Sequence, residues 1–496
     1  MNNFLETMKQ EQNYTLTENG AITHISTNNK VLDLFSMGVS MRNRTDQDCI
    51  NIFREAYYEN KELAMKCLFY IRDIRGGQGE RRFFRICYSW LIKEDKQIAL
   101  SNMHLIPMFG RWDDMYIFVD TELENYAFKI MYDQFKEDMS TDFPSLLGKW
   151  LKSENASSFE TKRLAKKTRQ AFKMTQSEYR KALSELRSKI NIVEKLMSEN
   201  RWDEIEFDKV PSRAGMIYRN AFANRDETKE RYAIFAANKN TKVNASVLYP
   251  YEIVEKALNW SDETERNIID KYWENIPDWF ANSTFDALCV VDTSGSMRGR
   301  PMDVAISLGL YCAERNKGPF HNHYISFSRR PELIEVKGKD FVEKVNYICS
   351  KNLCENTNIE ATFDLILRTA LANKEARNNL PKNLIIISDM NFDMARSDNV
   401  WRAEISSIDT LMESIKKKWD AAGICMPNLI FWNVDARQNN IPMLGNNISF
   451  VSGFSPVIFK TLMTNKTGYE LMLETLNSSR YDVVTLCLRH SEVVFQ

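Results

Sequence analysis

Residues 285–300 read FDALCVVDTSGSMRGR, and this stretch decides the fold. Seven mostly apolar residues form a buried strand, which breaks into a short polar turn. Pro301 then opens a helix at its first position, where a missing N–H costs nothing. Outward from this unit the same alternation repeats. Apolar strand runs are expected at 324–327, 333–336, 384–387, 429–434 and, more weakly, 448–452. Helical patterns are expected at 301–315, 359–373, 403–420 and 458–476. Strands alternating with helices predict an α/β, doubly wound, parallel sheet. Before residue 283 the period is helical throughout. Thr45 and Asp48 make a capping pair ahead of Ile52, Phe53, Ala56 and Tyr57, and Leu63, Cys67, Leu68 and Ile71 continue an amphipathic face. Gly76, Gly77 and Gly79 break it. Residues 160–200 contain neither Gly nor Pro and read as strongly helical. The expected organisation is a polar lead-in over 1–30, an α-helical domain of irregular, HEAT-like hairpins over 31–282, the α/β domain over 283–480 and a tail over 481–496.

The turn after the first strand carries the sharpest chemistry. Asp292, Ser294 and Ser296 place one carboxylate and two hydroxyls at alternate positions, at a strand's carboxyl end, where open α/β sheets bind ligands. Oxygen ligands with few carboxylates suit a hard cation: Mg²⁺, or another divalent ion such as Mn²⁺ or Ca²⁺. Thr357, before a helix, and Asp389, after the run LIII, are placed to complete the shell. A bare polar turn whose hydroxyls cap the next helix is the competing reading. With the five positions taken together, the domain resembles a von Willebrand factor A domain with a metal-ion-dependent adhesion site. That resemblance implies Asp292, Ser294, Ser296, Thr357 and Asp389 as ligands. Two positions depart from its pattern: Glu355 and Asn356 stand where glycines often precede the threonine, and Met390 follows the last aspartate. No His or spare Glu is placed in these loops to activate water, so docking of a partner's carboxylate is expected rather than catalysis. His321 and His323 alternate beside a strand, where a structural role outweighs metal binding.

Composition excludes bulk attraction to nucleic acid: 66 Lys and Arg oppose 67 Asp and Glu. Charge is instead local. Arg72, Arg75, Arg81, Arg82 and Arg85 surround the turn RDIRGGQGERRFFR. Ten basic residues against two acidic ones occupy 162–189, including Lys162, Arg163, Lys166, Lys167, Arg169 and Lys173. Lys162, Lys166, Arg169 and Lys173 step by four, three and four, one face of a continuous helix. Such a face can neutralise phosphates, and Phe83, Phe84 and Phe172 can stack bases, but a solvated surface helix fits the charge at least as well, and core packing outweighs stacking for each aromatic. GGQGERR lacks the ending of a phosphate-binding P-loop. The nine cysteines contain no CxxC pair, the N-terminus lacks a signal-peptide core, and no run is long enough to span a bilayer. A cytoplasmic protein without a membrane partner is expected.

The turn RDIRGGQGERRFFR, in a helical half followed by an A-type domain, resembles the TROVE module of Ro-type RNA-binding proteins. FGRWDDM at 109–115, EYRKALSELR at 178–187 and VPSRA at 210–214 are similar to a related, largely uncharacterised family of plants and large DNA viruses, including phages. The resemblance implies a noncatalytic RNA-binding ribonucleoprotein component. Small or single-stranded RNA would lie on the helical half, and the A domain would supply ring closure or metal-dependent docking of an acidic side chain. Arg111, Trp112, Asp113 and Asp114 are read as a structural corner. The alternative is a metal-dependent protein adaptor or virion-associated scaffold without RNA. No small-molecule substrate is expected.

Overall fold

A computed structural model describes residues 13–190, 193–260, 262–281, 286–327, 330–351, 358–372, 374–393, 410–462 and 466–486. The chain divides into two compact units. One comprises residues 1–60 and 248–476, the other residues 61–247 and 477–496. The units therefore divide elsewhere than the change of sequence pattern near 282.

The first unit is built on two sheets. The smaller is an antiparallel hairpin of β1 (Tyr14–Leu16) and β2 (Ile22–His24). The polar lead-in expected over 1–30 thus contains ordered structure: the β2 end exchanges backbone hydrogen bonds between His24 and Ile441 at 3.0 and 2.9 Å. Three-residue strands of mixed polarity have no readable period, and Ile441, which anchors the hairpin through His24, lies hundreds of residues away.

The larger sheet has six strands: β3 (Ala287–Asp292), β4 (His323–Phe327), β5 (Glu332–Glu335), β6 (Asn383–Ser388), β7 (Asn428–Asn433) and β8 (Ile448–Ser452), in the order β5-β4-β3-β6-β7-β8. All neighbours are parallel except β4 and β5. The purely parallel expectation is corrected at that edge, where a short link lets β5 fold back on β4. β3 and β6 are buried along their whole length, as strands covered on both faces must be. From β3 the chain moves outward to β4 and β5, then crosses back to β6 on the other side of β3. The carboxyl ends of β3 and β6 therefore flank the topological switch point.

Helix Arg300–Arg315 packs on β3, β4 and β6. A Cβ on Gly309 would come within 2.4 Å of Val291 Cγ2, so this close approach requires glycine. Helix Lys30–Met37 is buried at every residue but Lys30 and packs against β8. Helices Pro250–Ala257 and Glu263–Glu274 belong to this unit too, with Trp273 stacked on Phe341 at 4.2 Å and Tyr251 edge-on to Phe454 at 5.3 Å.

The second unit is helical. Lys61–Arg72, Arg82–Glu94, Glu124–Ser140, Phe159–Ala171, Gln176–Lys189, Ser212–Asn224 and Lys229–Ala237 are its longer helices. Its core is aromatic, with Phe69 at 5.7 Å from Phe84 and 5.2 Å from Phe109. Residues 160–200 are not one helix. The first ends at Ala171, Lys173 takes a left-handed φ of 53°, and Thr175 with Glu178 forms a capping box that starts the next. Residues 477–485, which run from the end of the expected α/β domain into the expected tail, pack within this unit. Arg480 pairs with Asp73, and Tyr481 stacks on Phe109 at 5.6 Å. Among the described residues, no helix is long and apolar enough to cross a membrane.

Candidate metal centre

Asp292 closes β3, and Ser388–Asp389 closes β6, so parallel pairing brings the two carboxylates to the switch point. Asp292 Oδ1 accepts from the Ser294 backbone N–H at 2.9 Å, which bends the chain out of the strand. Its Oδ2 accepts from Ser388 Oγ at 2.6 Å. Ser294 and Ser296 turn their hydroxyls toward each other at 3.0 Å. Asp389 Oδ1 accepts from the Asn391 N–H at 3.0 Å, while its Oδ2 is buried and accepts no hydrogen bond. A buried carboxylate oxygen without a donor is costly unless something positive meets it.

The electrostatics agree. Burial, reinforced by the neighbouring Asp389, pushes the Asp292 carboxyl up to about 7, against hydrogen bonds from Ser388 and Ser294. Burial also raises Asp389, opposed by the Asn391 backbone N–H and by the nearby Ser296 and Asn391 side chains. Two carboxylates that resist sharing negative charge, with hydroxyls beside them, form an all-oxygen donor set that fits a hard divalent cation. Asp292, Ser294, Ser296 and Asp389 are the residues that would hold it. Thr357 lies outside the described residues; its neighbour Asn358 accepts from the Ala361 N–H at 2.9 Å, capping the next helix. Among the described residues, no three His, Cys, Asp or Glu side chains gather as a metal cage, so a cation here would draw on the hydroxyls as well as the two carboxylates.

Met390 follows Asp389 with a φ of 61° and is buried. The position that departs from the resemblance at Met390 is therefore one whose backbone glycine would adopt freely; a non-glycine residue there is strained. His321 and His323 serve the local turn: each Nδ1 donates to a carbonyl, of Asn316 at 2.8 Å and of His321 at 2.7 Å.

Sequence reasoning missed the rim. Asp435, just past the end of β7, is buried, and Arg437 bridges it to the site. Arg437 Nε donates to Asp435 Oδ2 at 3.2 Å, and its terminal nitrogens reach the Ser296 carbonyl and, at 3.5 Å, Glu18. The strand-end rule that singled out Asp389 applies equally to Asp435 after NLIFWN. Glu18 had no such signal.

The basic residues divide differently from their sequence clustering. Arg72 is 1% exposed and donates from Nε and a terminal nitrogen to Asp114 Oδ2 at 2.9 and 2.6 Å. Arg85 reaches Asp114 at 2.7 Å and Asp113 at 3.2 Å; Arg81 lies 3.7 Å from Asp113. Arg111 also pairs with Asp113, at 2.9 Å, so FGRWDDM does form an ionic corner. The expectation that Arg72 faces RNA is corrected: the corner consumes it. Exposed Arg75 donates to the Met108 carbonyl at 3.2 Å, and Arg82 takes the Glu80 carboxylate on its backbone N–H at 3.0 Å. Arg163 and Lys167 both pair with Asp120 at 2.6 Å, and Arg169 with Glu154 at 2.6 Å. Lys162, Lys166 and Lys173 are exposed and make no ion pair among the described residues. Phe83, Phe84 and Phe172 are buried in the core.

The model of a domain of unknown function, DUF2828, matches residues 17–128 and 132–282. That of a second domain of unknown function, DUF7788, matches residues 286–483. An uncharacterized protein of Acanthamoeba polyphaga mimivirus is 29% identical over 498 residues, which cover 91% of this chain and 85% of the viral one.

Proposed function

The chain belongs to the DUF2828 family, and from that premise we propose that it is a noncatalytic binding protein whose sheet unit docks an acidic partner side chain through a bound divalent cation. The observation that carries this reading is Asp389 Oδ2, buried and without a donor beside Asp292 and two serine hydroxyls. A cation there meets the orphaned oxygen, relieves the repulsion between the carboxylates and retains coordination positions for water or an incoming carboxylate. The strand-end placement of Asp292 and Asp389 also supports the resemblance to a von Willebrand factor A domain with an adhesion-type site. Mg²⁺ is the first choice, with few carboxylates and several waters. Titration calorimetry of EDTA-stripped protein with Mg²⁺ and Mn²⁺ tests it. One site is expected, abolished in Asp389→Ala and Asp292→Ala. Folded wild-type protein that takes up neither ion rules the reading out.

RNA binding is the second reading, on a narrower footing. Lys162, Lys166 and Lys173 are exposed and have no ion-pair partner among the described residues, whereas their neighbours Arg163, Lys167 and Arg169 are already paired. Filter binding of single-stranded RNA should show a salt slope of only about two to three phosphates. Reversing the three lysines to Glu should remove it; retention unchanged by that reversal dismisses this surface.

A further inference from the structure

The hairpin β1–β2 reaches the rim of the candidate metal centre. Its tip, residues 17–21, is fastened to the loop that follows Asp389. Thr17 Oγ1 donates to the Phe392 carbonyl at 2.8 Å, and Asn19 Nδ2 to the Asn391 carbonyl at 2.7 Å. Gly20 bridges to Asp393. Between these anchors Glu18 projects outward, with its side chain 47% exposed, and its carboxylate lies 3.5 Å from Arg437. The same guanidinium donates to the Ser296 carbonyl, the backbone of a candidate cation ligand, and to Asp435 at 3.2 Å.

Asp435 is buried and pairs with Arg437 through Nε, which fixes the guanidinium plane. The Arg437 side chain as a whole remains 34% exposed, so its terminal nitrogens are open to an arriving carboxylate. An acidic side chain arriving at the cation would find this second positive group beside it, already holding a carboxylate from the chain itself. We propose that Arg437 is the second anchor for the acidic ligand and that Glu18 is an internal stand-in which the ligand displaces. This rests on the docking function proposed above and names how its ligand is recognised. The contact is weak by construction. An exposed ion pair at 3.5 Å with a single arginine nitrogen contributes little, so it screens the site from weak anions and yields to a ligand that also engages the cation. Arginine suits this role because its planar fork can hold Asp435 and a second carboxylate at once, which a lysine ammonium cannot do in fixed geometry.

The test uses full-length protein, saturating Mg²⁺ and a fluorescent hexaglutamate peptide read by anisotropy, with Mg²⁺ alone followed by calorimetry. Glu18→Gln should tighten the peptide by about two- to five-fold, the range an exposed pair spans. It should not tighten Mg²⁺, because an anion near the cation has been removed. Arg437→Gln should weaken the peptide by about ten-fold or more, and Mg²⁺ alone should bind as well or better without a neighbouring positive charge. Opposite signs for peptide and ion distinguish recognition from loss of fold. Arg437→Lys, which keeps the charge, covers the case in which Arg437→Gln does not fold, and should lie between it and wild type. Peptide affinity unchanged in Glu18→Gln and in the Arg437 variants overturns the inference while leaving the cation site standing. Wild-type protein that binds Mg²⁺ but no peptide overturns both docking and stand-in, and no Mg²⁺ uptake overturns the site itself.

Discussion

Asp292 and Asp389 are where single residues decide the behaviour of the molecule. An ordinary aspartate titrates at about 3.9, whereas burial and Asp389 carry Asp292 to about 7. Between these values the folded chain holds a proton that the unfolded chain has lost. The resulting stability is fully present below the unfolded value and disappears as pH rises through 7. Asp270 and Asp303, each raised to about 6 chiefly by burial, act in the same direction. The proposed cation would reverse the preference of the pair, because it would need both carboxylates ionised and would release the proton on binding. In EDTA, the melting temperature should therefore be higher near about pH 5.5 than near about pH 8. Saturating Mg²⁺ should raise it at the alkaline end and do little at the acid end. The Mg²⁺-dependent difference, rather than the slope alone, reports the site. An equal Mg²⁺ effect at both pH values contradicts coupled ionisation.

Elements show why some features were legible and others were not. β3 was legible because a parallel strand buried on both faces must be almost uniformly apolar and here ends abruptly at a polar turn. Five of the six strands in the large sheet fall within two residues of their expected starts, and β8 matches it. Asp292 and Asp389 followed from strand ends. Glu18, Arg437 and the hairpin could not follow, since their meaning lies in contacts across more than 370 residues that no local period encodes. Arg72 was illegible for the converse reason: sequence counts it as positive charge but cannot see Asp114 arriving 42 residues later to bind it. Close packing between elements gives a direct test. Helix Arg300–Arg315 lies so near β3 that Gly309→Ala would drive a methyl into Val291, at a cost of about 1–3 kcal/mol. Val291→Ala should remove most of that penalty. In urea melts, the double variant should lose less than the two single losses combined. Strict additivity means the two surfaces do not meet as described.

At the scale of the whole molecule, the chain passes between its two compact units three times, near residues 60, 247 and 476. The family models instead meet between residues 282 and 286, within a few residues of the change in sequence pattern. The two divisions make opposite predictions about fragments. If sequence pattern defined the folding unit, residues 283–496 would fold alone. The packing argues otherwise. That fragment lacks helix Lys30–Met37, whose Val31, Leu32, Leu34, Phe35 and Met37 are all buried. At roughly 1.5–3 kcal/mol for each buried apolar side chain, these five alone amount to about 7–15 kcal/mol, comparable to the whole stability of a typical domain. The fragment also loses the Ala436 N–H to Ser40 carbonyl bond at 3.0 Å, the Arg42 guanidinium 3.8 Å over Phe454, and the Trp273–Phe341 stack. Residues 283–496 alone should therefore show no cooperative melt and no Mg²⁺ uptake. A chain of residues 1–60 joined by a long Gly/Ser linker to 248–476 keeps every one of these contacts, so it should melt cooperatively and bind Mg²⁺ as the full-length protein does. A cooperative, Mg²⁺-binding 283–496 fragment would overturn this division of the chain.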